Sequence, residues 1–338
     1  MTEKQYGGST GRSTGEIKTS KPSFSKPLQI AQQKKSNIKK SEQISSIEGY
    51  DEYIKAGKIA SEVVKFAKSI IKKDVPLLEI ADKIESKIFE LKAKPAFPVN
   101  LSIDEVAAHD TPAFNDTRKA HGLIKVDIGV HINGYIADVA FSMDLENNEE
   151  NKKLINASED ALSKAIEIIK AGIPIRQIGS LIDTTIKSHG FTSIHNLSGH
   201  SLARYELHSG LTIPNYDNFQ EIKIEKGAYA IEPFATSGLG SVKDSKPSGI
   251  FRVENDAPVR DSFAREVLAF IYEEYNTLPF CSRWLCKKFG SRALIALKRL
   301  EDAGILYQYP QLIETSEKKV SQVEHTIIIS NDKIITTQ

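Results

Sequence analysis

Two acidic residues interrupt what would otherwise be a wholly apolar β-hairpin. Val126-Asp127-Ile128-Gly129 and Ala137-Asp138-Val139-Ala140 are apolar runs, each broken by one aspartate. Between them lies Asn133-Gly134, the strongest short hairpin signal a sequence carries. A two-residue turn there sets Ile132 opposite Tyr135 and Asp127 opposite Ala140. Asp138 then becomes the diagonal neighbour of Asp127 on the same face. Two carboxylates that close on a half-buried sheet repel each other. Either one stays protonated or a cation lies between them. A metal ion is the economical answer. The alternative is an aspartate that only accepts backbone amides at a strand end.

Three later segments repeat the anomaly. Asn196-Leu197-Ser198-Gly199-His200 ends a strand on an imidazole. Ala230-Ile231-Glu232-Pro233-Phe234 and Val323-Glu324-His325-Thr326-Ile327 each carry an acid inside an apolar run. A lone buried histidine is usually a hydrogen-bonded core residue, and a lone strand glutamate usually faces solvent. Four strand carboxylates and one histidine in separate strands are harder to explain that way. Hard oxygen donors with a single imidazole suit Mn, Fe, Co or Zn rather than a Cys-type structural zinc. Two ions held ~3.5–4 Å apart are the usual arrangement for activating a bridging hydroxide.

Composition fits an enzyme-sized globular chain. At 338 residues the length suggests two domains of ~150 residues. A 40% hydrophobic and 26% charged composition argues against disorder throughout. Two cysteines cannot staple a chain this long, which excludes a disulfide scaffold. No run approaches the ~18 apolar residues of a membrane span, and the N-terminus lacks the apolar core of a signal peptide. A cytoplasmic protein is expected. The net charge of +1 is unevenly distributed. Residues 1–45 hold nine basic residues against three acidic ones, which leaves −5 on the remainder. So polar a segment cannot offset its ordering entropy, and residues 1–45 read as a disordered basic tail. Contact with a polyanion such as ribosomal RNA is its functional reading and a solvated tail the plainer one.

Helical spacing runs over Tyr50–Ile71 and from Pro76 to about Leu91, then again over Asn151–Ala171 and Ile175–Ser188. Ser45 with Glu48 offers a capping box, and Asp74-Val75-Pro76 a helix start. Strand-like segments follow each helix pair, an order that hints at internal duplication. Ala264–Tyr275, Phe280–Phe289 and Ser291–Ala303 form three further helices. With an extended piece after Gly304, they resemble a small winged-helix unit over residues 256–320. A closing hairpin is expected around Asn331-Asp332.

The ordered set Asp127, Asp138, His200, Glu232 and Glu324 resembles the ligand series of methionine aminopeptidases. The flanking words match the type II branch, found in archaea and eukaryotes. They are Ala96-Phe97-Pro98, Ala108-His109-Asp110-Thr111-Pro112, Gly199-His200-Ser201-Leu202, Ile231-Glu232-Pro233-Phe234-Ala235 and Val323-Glu324-His325-Thr326. The helical segment before the last ligand is also a type II feature. The resemblance covers residues 46–338. It implies an α+β, pseudo-two-fold pita-bread fold, as in creatinase, with the winged-helix-like subdomain inserted.

The resemblance further implies two divalent ions (Co, Mn, Fe or Zn) and the roles of the residues around them. Asp127 would chelate one ion, Asp138 and Glu324 would bridge both, and His200 and Glu232 would complete the coordination of the other ion. Glu232 would help deprotonate the bridging water. His208 would bind the scissile carbonyl, and His109 the amide nitrogen. Phe97, His109, Leu207, His208, Phe234 and Tyr309 would line the methionine pocket. The implied reaction is removal of the N-terminal methionine of nascent polypeptides, with a small second residue preferred, by a monomer with no membrane or specific DNA partner. A proline dipeptidase of the same fold and a non-enzymatic binding module are the competing readings.

Overall fold

The computed structural model describes residues 47–331 and 333–337; the basic segment 1–45, including the Ser45 capping position, lies outside them. Among the described residues there are seven helices: α1 (Tyr50–Ile70), α2 (Leu77–Glu90), α3 (Glu149–Ile168), α4 (Ile175–Ser188), α5 (Ser262–Tyr275), α6 (Ser282–Phe289) and α7 (Ala293–Asp302). Strands β1 (Lys94–Pro95), β2 (Asn100–Ile103), β3 (Val106–Ala108), β4 (Leu123–Ile132) and β5 (Tyr135–Asp144) lie between the first two helix pairs. After α4 come β6 (Thr192–Ser193), β7 (Ser198–Leu202), β8 (Thr212–Pro214), β9 (Gly227–Ile231), β10 (Phe234–Thr236) and β11 (Val242–Val253). β12 (Phe280–Cys281), β13 (Leu306–Glu314), β14 (Val320–Gln322), β15 (Glu324–Ile329) and β16 (Lys333–Ile335) complete the set.

The helix starts have local causes. Pro76 precedes α2 and Pro174 precedes α4, positions where a missing N–H costs nothing. The Asp74 cap expected from sequence does not form, because Asp74 stands in the left-handed region at φ 67° and Pro76 holds the cap position. Asn148 does cap α3, accepting from the N–H groups of Glu150 and Asn151. The two proline starts are built alike. Pro76 bridges to Lys119 and Pro174 to Lys223. The N–H of Leu77 donates to the Arg118 carbonyl, and that of Ile175 to the Ile222 carbonyl. This repetition is the structural trace of the duplication suggested by the helix–sheet order.

The main sheet runs β1-β4-β5-β15-β9-β7-β8, with β2 also on β4 and β16 also on β15, and all pairings antiparallel. The Asn133-Gly134 turn forms as expected, setting Ile132 against Tyr135 and Asp127 against Ala140. Both turn residues have positive φ, 53° and 89°, which matches the twist of the flanking strands. The Gly134 N–H donates to His131 Nδ1 at 3.1 Å.

Alternation along each strand then sorts the side chains. Val126, Ile128, Val130, Ala137, Val139 and Phe141 point to one face, where α1 and α2 bury their apolar stripes. Tyr229, Ile231, Ile327 and Ile329 point the same way, beneath α3 and α4. Both helix pairs thus cover one face of the sheet. The opposite face carries Asp127, Asp138, Glu324 and His200.

Two smaller sheets, β14-β10-β6 and β12-β11-β13-β3, flank that second face. Helices α5–α7 pack around their own core of Val267, Ile271, Phe280, Leu285, Leu297 and Leu300. Arg283 on α6 ties this helical segment to the body. Its fully buried guanidinium donates to Glu85 at 2.6 and 2.8 Å, to Asp82 at 3.0 Å and to the Pro112 carbonyl at 3.0 Å. Among the described residues no helix is long and apolar enough to cross a membrane.

Candidate metal centre and active site

The sheet register alone brings the five expected ligands together. Ala140 on β5 lies between Asp127 on β4 and Glu324 on β15, as their opposite number on both sides. Asp138 is two residues from Ala140 and so shares its face. Thr326, two beyond Glu324, pairs with Ala230, which pairs in turn with His200. Glu232 follows β9 directly, two residues past Ala230. Five adjacent strands, β4, β5, β15, β9 and β7, therefore present one ligand each to one side of the sheet, Glu232 from just past the end of β9.

The contacts are close. One ligand atom each from Asp138, His200 and Glu324 lies within 4.8 Å of the others, and all three residues are buried. His200 Nε2 is 3.7 Å from Asp138 Oδ2 and 3.9 Å from Glu232 Oε1. Asp127 Oδ1, Asp138 Oδ1 and Glu324 Oε1 are buried without any hydrogen-bond donor. Burial pushes Asp127 up to about 7. Burial, then the Asp127 and Glu232 charges, holds Asp138 well above the usual carboxylate range. Glu324 is raised by burial and then by Asp138, and Glu232 by burial and then by Asp127. Burial, with His208 nearby, brings His200 down to about 3. Orphaned acceptors, mutually repelling acids and a neutral imidazole are the donor set a divalent cation would satisfy. The residues fit a bound divalent metal.

The expected pocket residues gather around this centre. Phe97, His109, Leu207, His208, Phe234 and Tyr309 line one cavity of about 460 Å³ together with Asp127, Asp138, His200, Glu232 and Glu324. Gly129 makes room for its wall, since a Cβ there would lie 2.4 Å from the Phe97 ring. Phe234 stands on β10, and Tyr309 on β13 meets His109 edge-on at 5.1 Å. His109 Nδ1 lies 3.1 Å from the Pro310 carbonyl oxygen. A carbonyl oxygen only accepts, so Nδ1 carries the hydrogen and Nε2 is left bare. Burial lowers the pKa of His109 despite that bond, so the ring is neutral.

His208 sits on the loop after β7. The Tyr205 N–H donates to the Gly134 carbonyl at 2.8 Å, and Ser209 binds Ser201 through N–H and hydroxyl, both at 2.9 Å. The loop is thereby fastened to the same hairpin that carries Asp127 and Asp138. His208 lies edge-on to His200 at 4.4 Å, and burial, then His109 and Arg252, bring its pKa down to about 4.

With the geometry in place, comparison with known proteins is decisive. The model of metallopeptidase family M24 matches residues 51–261. The chain belongs to metallopeptidase family M24. Methionine aminopeptidase of Pyrococcus abyssi is 47% identical over 292 residues, covering 85% of this chain and 98% of that one. Methionine aminopeptidase of Methanocaldococcus jannaschii is 44% identical over 296 residues, covering 86% and 99%. Within the M24 family the chain is thus of the archaeal methionine aminopeptidase type. Solved structures agree on the pita-bread fold. A thermophilic Arx1 superposes with a TM-score of 0.74 at 16% identity, covering 86% of this chain and 91% of that one. Methionine aminopeptidase of Thermotoga maritima gives 0.63 at 22% identity, covering 88% and 100%. As an M24 metallopeptidase the chain is a metal-dependent hydrolase.

Two contributors were missed in the sequence. Gln322, 1% exposed, donates its amide to Asp127 Oδ2 at 3.3 Å and to Glu324 Oε2 at 3.4 Å. The signal was available, because Gln322 precedes Glu324 by two and so shares its face. The Thr326 hydroxyl accepts from the Asp138 N–H at 2.7 Å and donates to the Asp138 carbonyl at 2.8 Å. That link joins two neighbouring strands whose residues are 188 apart in the sequence, and it left no local mark. His325, next to Glu324, points away from the ligands and pairs with Thr337 at 2.9 Å.

Proposed function

We propose that this chain removes the N-terminal methionine from polypeptides, preferring a small uncharged second residue, with two divalent ions held by Asp127, Asp138, His200, Glu232 and Glu324. The observation that carries the reading is the single sheet face bearing all five side chains, in the wall of the cavity that Phe97, Leu207, Phe234 and Tyr309 also line. The identity to archaeal methionine aminopeptidases over most of both chains supports the substrate.

When bound, the ions supply Lewis acidity at the scissile carbonyl and make water nucleophilic at neutral pH. The remaining chemistry belongs to side chains. Phe97, Leu207, Phe234 and Tyr309 surround the thioether, an apolar flexible group for which aromatic walls are well suited. His208 donates a hydrogen bond to the carbonyl oxygen as its charge develops. His109, with Nε2 bare, accepts the N–H of the scissile amide and orients it. Glu232 takes the proton of the attacking water and returns it toward the leaving amine. A free, neutral α-amine is a further ligand such ions would take, which would restrict cleavage to the first bond.

The action is cytoplasmic in this reading, and the chain works as a monomer. The basic segment 1–45 would touch a polyanion such as ribosomal RNA near emerging chains. Ion binding and the carboxylates' raised pKa values give a direct test. A protonated carboxyl must lose its proton before it can ligate, so affinity rises with pH. Between pH 6 and 7, below the Asp127 value of about 7, the apparent Kd for Mn or Co is expected to fall by about five- to tenfold per proton released. Calorimetric titration of the metal-free protein should reach two ions per chain and release protons in proportion. A single ion per chain, or a pH-independent Kd, would contradict the two-ion site.

A further inference from the structure

We infer that Asp110, Arg118 and Gln311 are positioning residues that hold His109 in its working conformation and tautomer. The inference rests on the role assigned to His109 above. None of the three lines the cavity, so none touches substrate.

His109 occupies the left-handed backbone region at φ 60°, where a side chain other than glycine's is crowded. Such a conformation persists only where its surroundings impose it. The next residue supplies that constraint. Asp110 is 1% exposed, and both its oxygens are taken. Arg118 donates Nη1 to Oδ2 at 2.7 Å and Nη2 to Oδ1 at 2.9 Å, a bidentate and directional grip. Gln311 Nε2 donates to Oδ1 at 2.7 Å. The Asp110 carbonyl accepts the Leu101 N–H at 2.6 Å. Asp116 braces Arg118 from the other side, at 2.7 Å from Nη2.

The second half of the grip comes from β13. Tyr309 contacts the His109 ring, the Pro310 carbonyl accepts its Nδ1–H, and Gln311 holds Asp110. Three consecutive residues therefore fix the ring plane, the tautomer and the backbone of one dipeptide. If Asp110 swings away, the peptide relaxes from the left-handed region, the bond to Pro310 is lost, and Nε2 no longer faces the scissile amide as an acceptor.

The test uses the full-length chain loaded with Mn or Co and the peptide Met-Ala-Ser. Arg118→Met is chosen because the side chain is 39% exposed, so its replacement opens no cavity. Its kcat is expected to fall about ten- to a hundredfold with KM changed far less, and Arg118→Lys should lie in between. Nitrogen-15 spectra of histidine-labelled protein should show a neutral, Nδ1-protonated ring that is absent from His109→Gln and lost in Arg118→Met. Wild-type kcat in His109→Gln would overturn the role of His109 itself. Loss of activity in His109→Gln, beside wild-type kcat and an intact Nδ1–H signal in Arg118→Met, would overturn the positioning inference alone. Should Arg118→Met fail to fold, Gln311→Leu must shift kcat and the signal in the same direction, and no change in either would equally overturn it.

Discussion

Asp138→Ala is expected to reduce metal-dependent turnover by on the order of 10³-fold or more while the protein stays folded. The size follows from what the side chain would do. Charge stabilisation by bound ions contributes several kcal/mol to such a reaction, and each ~1.4 kcal/mol is a factor of ten. Asp138 stands at the middle of the ligand row, diagonal to Asp127 and 3.7 Å from His200. Its removal should disturb the retention of both ions. The fold has no such dependence, because the helix pairs pack on the other face of the sheet. In the metal-free protein the change removes a buried acid with an orphaned oxygen, so the Tm should stay level or rise. Activity within tenfold of wild type at saturating Mn or Co would refute the assignment, and a collapsed Tm would show a structural part instead.

His208→Ala is expected to lower kcat by about 10²–10³-fold with two ions still bound. The distinction from Asp138 is geometric. His208 lines the same cavity but stands on a separate, hydrogen-bonded loop rather than on a ligand strand. It touches His200 only by ring contact at 4.4 Å. A donor aimed at the developing oxyanion matters most in the transition state, so kcat should fall with little change in KM. Turnover measured beside metal content separates the cases. Loss of one ion would make His208 a ligand support, and unchanged kcat would remove it from the mechanism.

The ligand row was legible in the sequence because it violates a simple expectation. Asp127 and Asp138 stand in runs that should be apolar, and Asn133-Gly134 fixes their register without help from the rest of the chain. The helix pairs were legible from spacing to within a few residues. Ends governed by backbone geometry were not. Asp74 looks like a cap yet adopts a positive φ, and Gly49 in the left-handed region, not Glu48, stands at the start of α1. Glu48 instead accepts the Tyr135 hydroxyl at 3.1 Å. Pairings across the fold were also out of reach. Thr326 with Asp138 and Arg283 with Glu85 join segments separated by 188 and 198 residues. No local pattern encodes such meetings, which only the assembled sheets bring about. The order of strands, the positive φ of His109 and the Asp110–Arg118 grip belong to the same class.

The central claim is metal-dependent removal of an N-terminal methionine by this one site. Its most direct test is release of methionine from Met-Ala-Ser by the wild-type chain, before and after a chelator and then with Mn or Co restored. Turnover that vanishes with the chelator and returns with the metal, while X-Pro dipeptides without methionine stay intact, is the predicted result. Methionine release that survives complete metal removal, or cleavage confined to X-Pro substrates, would contradict it.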